Sequence, residues 1–278
     1  MNNPSDITTP QDSASPVGLR MCKQMNVPGV CRGALTYWPQ LQAAIAQLNQ
    51  VGPSRPAIPT LRGVPNAAQV GGPEQLCSAL AIAPGLLQAE TPPTDLYGRF
   101  AWLTLRVYEG ARTIQATLQE LPALADSAAG NRTAGGALVK EVLTGTGGLS
   151  QRARTIKEFA DLFATQLHAF TDAVKALNGQ AGSSADAAQS AENKVLSVVG
   201  NMTLAVETLS TAWQTTMTQF DTVANIDARE LGNVDYLHTN LQIEPAAQEW
   251  GTFAGIIQRF TAGLLAAQPT AASLRLMR

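Results

Sequence analysis

Few side chains in this sequence have an ordinary pKa close enough to neutral to exchange a proton or become a nucleophile there: two histidines, His168 and His238, and three cysteines, Cys22, Cys31 and Cys77. An imidazole becomes catalytic when a second group orients it and a nucleophile or water lies in reach. His168 stands beside Leu167 in a regular helical pattern and reads as a helix-flank residue. His238 is expected in the loop between the last two helices, where functional side chains concentrate. Three cysteines cannot all pair within one chain, and the spacing of Cys22 and Cys31 does not fit a CxxC metal or redox arrangement. They read as reduced thiols, with a disulfide between two of them as the alternative.

Other short patterns point to chemistry only superficially. Gly145-Thr146-Gly147-Gly148 has the glycine content of a phosphate cradle, but it lacks the Gly-Lys-Ser/Thr ending and follows no strand, so a helix break is the expectation. Di-iron bundles carry Glu-x-x-His sets, and no glutamate here is followed three residues later by histidine. Asn131-Arg132-Thr133 and Asn201-Met202-Thr203 match the glycosylation acceptor. Trp213, Phe220, Trp250 and Phe260 fall at core spacing rather than forming a cofactor box. The reading is a protein without enzymatic activity and without a cofactor or metal.

The elements that would position these residues are helical. The 278 residues are 45% hydrophobic but only 5% aromatic, which favours helices packed through small and medium side chains over strands. Nineteen basic and 21 acidic residues are scattered singly, for a net charge of -2, so no basic stripe exists to neutralise a row of phosphates and nucleic acid is not an expected partner. The stretch from Met1 to Pro16 has no positive start or apolar core. A soluble protein, cytoplasmic or exported without a cleavable signal, is therefore expected.

Three regions follow. Residues 1–33 read as a flexible arm, because Pro4, Pro10, Pro16 and Pro28 interrupt helix. Residues 34–93 read as short helices and a proline-rich linker, with Leu35, Trp38, Leu41, Ala44, Ile45 and Leu48 at helical spacing before Pro53, Pro56, Pro59 and Pro65. Within this region Leu76 to Leu87 is the most lipophilic piece, too short to span a bilayer. Its Leu76, Leu80, Ile82, Leu86 and Leu87 are the candidate membrane or partner contacts. Ala137 to Leu149 ranks behind it.

Residues 94–278 read as a long four-helix bundle. The first helix presents Leu96, Phe100, Leu103, Val107, Ile114, Leu118 and Leu121, with Gly110 and Ala111 where another helix could approach closely. The second presents Leu149, Ala153, Ile156, Ala160, Phe163, Leu167, Phe170, Val174 and Leu177, an alternation of four and three that specifies a coiled-coil seam. Asn178-Gly179 ends it, and a short turn makes the third helix its antiparallel neighbour. The third carries Val195, Val199, Met202, Val206, Leu209, Trp213, Thr216, Phe220 and Val223, with Glu192 as the polar intrusion, over Ser184 to Leu231, on the order of 70 Å. Gly135 to Leu143 is expected to continue the second helix beyond a kink at the glycines Gly145, Gly147 and Gly148. The last helix, Ala246 to about Ala267, presents Trp250, Phe253, Ile257, Phe260 and Leu264, entered through Pro245. The fold expected is an all-α, elongated antiparallel helical bundle with long heptad-patterned helices.

From about Thr94 to Ala267 this architecture of long heptad helices, entered through an irregular N-terminal arm, resembles the α-helical pore-forming toxins related to cytolysin A and the xenorhabdolysin-type binary toxins. The resemblance implies a component that docks on a target membrane or on a second subunit, then rearranges its helices into an oligomeric pore. It differs in its tip: Asn178 to Ser184 is polar and rich in Gly and Ser, where such toxins carry a hydrophobic hairpin. The alternative is a non-lytic helical interaction protein, such as a secretion-system adaptor or effector partner, because heptad seams specify helix partners rather than chemistry.

Overall fold

The computed structural model describes residues 18–21, 40–41, 43–44, 96–178 and 186–266. Among these the fold is all-α, without strands. Its helices are α1 (Leu96–Asp126), α2 (Arg132–Thr144), α3 (Leu149–Asn178), α4 (Asp186–Ala224), α5 (Ala228–Leu231), α6 (Val234–Thr239) and α7 (Ile243–Ala266). Cys22, Cys31, Cys77, the whole of Leu76 to Leu87 and the turn after Asn178 lie outside the described residues.

The periodic apolar residues form the core. On α3, Leu149, Ala153, Ile156, Ala160, Phe163, Leu167, Phe170 and Val174 are all buried, and on α4 so are Val195, Val199, Met202, Val206, Trp213, Phe220 and Val223. Each large apolar side chain removed from water stabilises the fold by roughly 1.5–3 kcal/mol, so two such rows outweigh any local preference. Glu192 is buried on the same face of α4. Polar contacts fix the direction of the pair: Ser150 Oγ donates to Asp221 at 2.6 Å, the Ser210 hydroxyl donates to Asp161, and His168 Nε2 lies 3.0 Å from Glu207. As α3 is followed forward, its partners on α4 move backward, so these two helices run in opposite directions.

Helix α1 lies against α3 and α7. Phe100 stacks on Phe163 with ring centroids 5.5 Å apart, and Trp213 of α4 meets Trp250 of α7 at 5.7 Å. At Gly110 a side chain would run into Ile156 of α3 and crowd Trp213 of α4, so α1 packs closely there. α1 continues beyond Leu121 to Asp126 through Pro122, which sits near the end and forfeits only the bond to the Leu118 carbonyl.

The chain departs from the expected course in one corner. The third helix stops at Ala224 instead of reaching Leu231, and Asp227 starts α5 by accepting the Arg229 N–H at 2.7 Å. A short acidic side chain bonded to its own backbone competes with helix continuation and caps the next one. Residues 132–144 form their own helix rather than extending α3. Asn131 caps it by accepting from the Ala134 N–H at 3.1 Å, and the turn to α3 passes through Gly147 at φ +76°. α2 packs on α5 with backbone against backbone: a methyl group on Gly136 would collide with the Ala228 carbonyl, and one on Gly232 with the Arg132 carbonyl. Within Ala137 to Leu149, Val139, Leu143 and Leu149 are buried in this corner, while Leu138 faces outward.

Candidate functional site

The structure disperses the residues with catalytic potential. His168 and Glu207 form an exposed pair across α3 and α4, and His238 Nδ1 lies 3.0 Å from Glu244. His238 occupies the last turn of α6 rather than a loop, and its partner stands in the first turn of α7. Among the described residues neither histidine is hydrogen-bonded to a hydroxyl or thiol. No group of three or more potential metal ligands occurs among the described residues.

The glycine run lines a cleft of about 620 Å³ between α1, α2 and α3, together with Thr113, Thr117, Glu120, Glu141 and Arg152. Its donors are engaged within the turn: the Gly147 N–H donates to Gln151 Oε1 at 2.7 Å and the Gly148 N–H to the Gly145 carbonyl at 2.9 Å. Arg152 Nε also donates back, to the Gly147 carbonyl at 3.0 Å. An anion cradle needs its N–H groups aimed at the ligand, so this turn is a helix connection. One turn along α1 from Thr113, burial pushes the Glu109 carboxyl above its ordinary range, against the opposing pull of Arg106 and Arg152.

A more distinctive feature is the outward face of α4. Between Lys194 and Asp221 its only charged residue is Glu207. Thr208, Thr211, Thr215, Thr218 and Thr222 each donate their hydroxyl to the carbonyl four residues earlier, at 2.7–3.1 Å. A hydroxyl paired in this way spends its donor on its own helix. Leu204 stands on this face 64% exposed. Of the described helices, only α4, over Glu192–Ala224, is long and apolar enough to cross a membrane by length and composition.

Across α3 and α4, Asp161 takes hydrogen bonds from Lys157 and Ser210. Burial alone would raise its pKa, but those two bonds and the Lys157 charge outweigh it, leaving the carboxyl below its ordinary range.

The last feature lies inside the segment read as a free arm. Residues 18–21 rest on α7: Leu19 is buried, its carbonyl accepts the Trp250 indole N–H at 3.3 Å, and the Met21 N–H donates to Glu249 Oε2 at 3.2 Å. Arg20 forms an ion pair with Glu249, its Nε 2.9 Å from Oε1, and this contact raises the guanidinium pKa. Burying one leucine, two hydrogen bonds and a surface ion pair together give roughly 3–7 kcal/mol. Ordering four residues of backbone costs about 4–8 kcal/mol, so the contact is close to balance. Nothing in the apolar pattern marks this site, since a lone Leu-Arg pair after Pro16 has no periodicity.

Comparison with family models, with curated proteins and with solved structures returns no match for this chain.

Proposed function

We propose that the chain is a non-enzymatic component of an α-helical pore-forming system, acting on a target membrane together with a second subunit or with further copies of itself. In this reading the water-soluble form is an elongated antiparallel bundle with heptad seams, and α4 is the element that enters lipid once its contacts with α3 open. The observation that carries the reading is the composition of α4. Its most apolar window of 18 residues has a mean hydropathy of 1.3, and 44% of that window is buried. At 1.5 Å per residue that window is about 27 Å long, close to the thickness of a hydrocarbon layer of about 30 Å. The self-bonded threonines lower the cost of placing the outer face in lipid, where every polar group must find an internal partner. Leu76, Leu80, Ile82, Leu86 and Leu87 are proposed as an accompanying lipid or partner contact.

The test is release of an encapsulated dye from phospholipid vesicles, by the protein alone and with the product of a neighbouring gene. Release in either arm supports the pore reading. Intact vesicles with no bound protein in both arms would favour a non-lytic helical interaction protein, a reading that the peptide-like seating of residues 18–21 on α7 also supports.

A further inference from the structure

We infer that the cleft between α1, α2 and α3 binds a small ligand with two cationic groups and one carboxylate, the chemical class of basic amino acids and of dipeptides carrying one basic residue. Each helix sends one charged side chain to its wall: Glu120 from α1, Glu141 from α2 and Arg152 from α3. None of the ion pairs among the described residues involves these three. Arg152 Nε is tied to the Gly147 carbonyl at 3.0 Å, which holds the guanidinium beside the turn and leaves its terminal nitrogens for a carboxylate. Glu109, which Arg152 also attracts, is already paired with Arg106 at 3.9 Å. A methyl group on Gly145 would collide with the Glu141 carboxylate, so that carboxylate lies over the same turn. A receiver for an anion and one for a cation are thus held side by side.

The α1 wall adds two hydroxyls. Thr113 and Thr117, one helical turn apart, line the cleft without a hydrogen bond to a described residue, unlike the self-bonded threonines of α4. Half-buried Leu124 and Val142 give methylene carbons an apolar surface to lie on. Two carboxylates against one guanidinium leave one excess negative charge, which a ligand with two cations and one carboxylate balances group for group. A simple anion would face both carboxylates, and a diamine would leave Arg152 facing a cation. The volume of about 620 Å³ falls within the span of small-molecule clefts. This site is independent of the membrane reading.

The test is calorimetric titration of the full-length protein at low salt with L-lysine and with alanyl-lysine, each as the free acid and as the carboxyl amide. At least one free acid should bind one-to-one, and its amide should bind about tenfold more weakly, because the partner of Arg152 is gone. In Arg152→Gln the free acid and the amide should bind alike. Glu120→Gln and Glu141→Gln should each weaken the free acid by about tenfold. All three side chains are exposed, so the variants should keep the helical circular dichroism of the parent. Absence of saturable binding by both free acids would overturn the proposal, and so would an amide that binds the parent as well as its acid does; neither result depends on any variant folding. Binding of the free acid that both glutamate variants leave unchanged would overturn it too.

Discussion

The α3–α4 pair and the corner made by α2, α5 and α6 are held together by different physics. Along α3 and α4 the contact is between side chains, repeated every three or four residues, with Phe163, Phe170, Trp213 and Phe220 buried in one row or the other. In the corner it is between backbones, with Gly136 against the Ala228 carbonyl and Gly232 against the Arg132 carbonyl, and each short helix begins at an Asn or Asp cap. A row of apolar side chains tolerates small changes by repacking, while two main chains in contact leave nothing that can move.

The largest effect should come from a charge placed in the row. Phe163→Asp or Phe220→Asp removes a buried ring and strands a carboxylate, which should lower stability by about 4 kcal/mol or more and sharply reduce the thermal midpoint. A midpoint close to the parent's would mean that the row faces water. Next comes the corner: Gly136→Ala should cost about 1–3 kcal/mol in urea unfolding, because even one methyl group meets a carbonyl. Its control is Gly200→Ala on the open face of α4, where nothing stands within 4 Å and the change should stabilise by about 0.5–1 kcal/mol. Equal responses at the two glycines would erase the distinction between the regions.

Asp227→Ala removes the cap of α5 and should cost about 1 kcal/mol, read as faster amide exchange at Arg229. The smallest effect concerns acid. Because the folded pKa of Asp161 lies below its ordinary value, its contribution is fully present above the ordinary aspartate range and drains away as pH falls through the lowered value. In Asp161→Asn that part of the acid dependence should be absent from a plot of unfolding free energy against pH.

The same distinction explains what is legible in the sequence. Burial leaves a period, so the rows on α1, α3, α4 and α7 and the close approach at Gly110 can be read from residue types alone. A cap or a backbone contact leaves a single residue with no repeat. Asp227 therefore reads as an ordinary polar position within one long helix, and Gly136 as one more residue in a continuation of the second helix. The contact of Leu19 and Arg20 with α7 joins positions more than 220 residues apart, and no local pattern encodes it. The outward face of α4 is partly visible as a scarcity of charge, but the pairing of each threonine hydroxyl with its own helix emerges only from the fold.

The proposal that α4 enters lipid can be tested at its exposed face. With Cys22, Cys31 and Cys77 replaced by serine and Leu204→Cys labelled with an environment-sensitive fluorophore, the probe begins in water, since Leu204 is largely exposed. Addition of phospholipid vesicles, with the second subunit where dye release requires one, should shift its emission to the blue and raise its intensity as α4 leaves α3. Emission unchanged by vesicles under conditions that release dye would contradict the assignment of α4 as the lipid-entering helix.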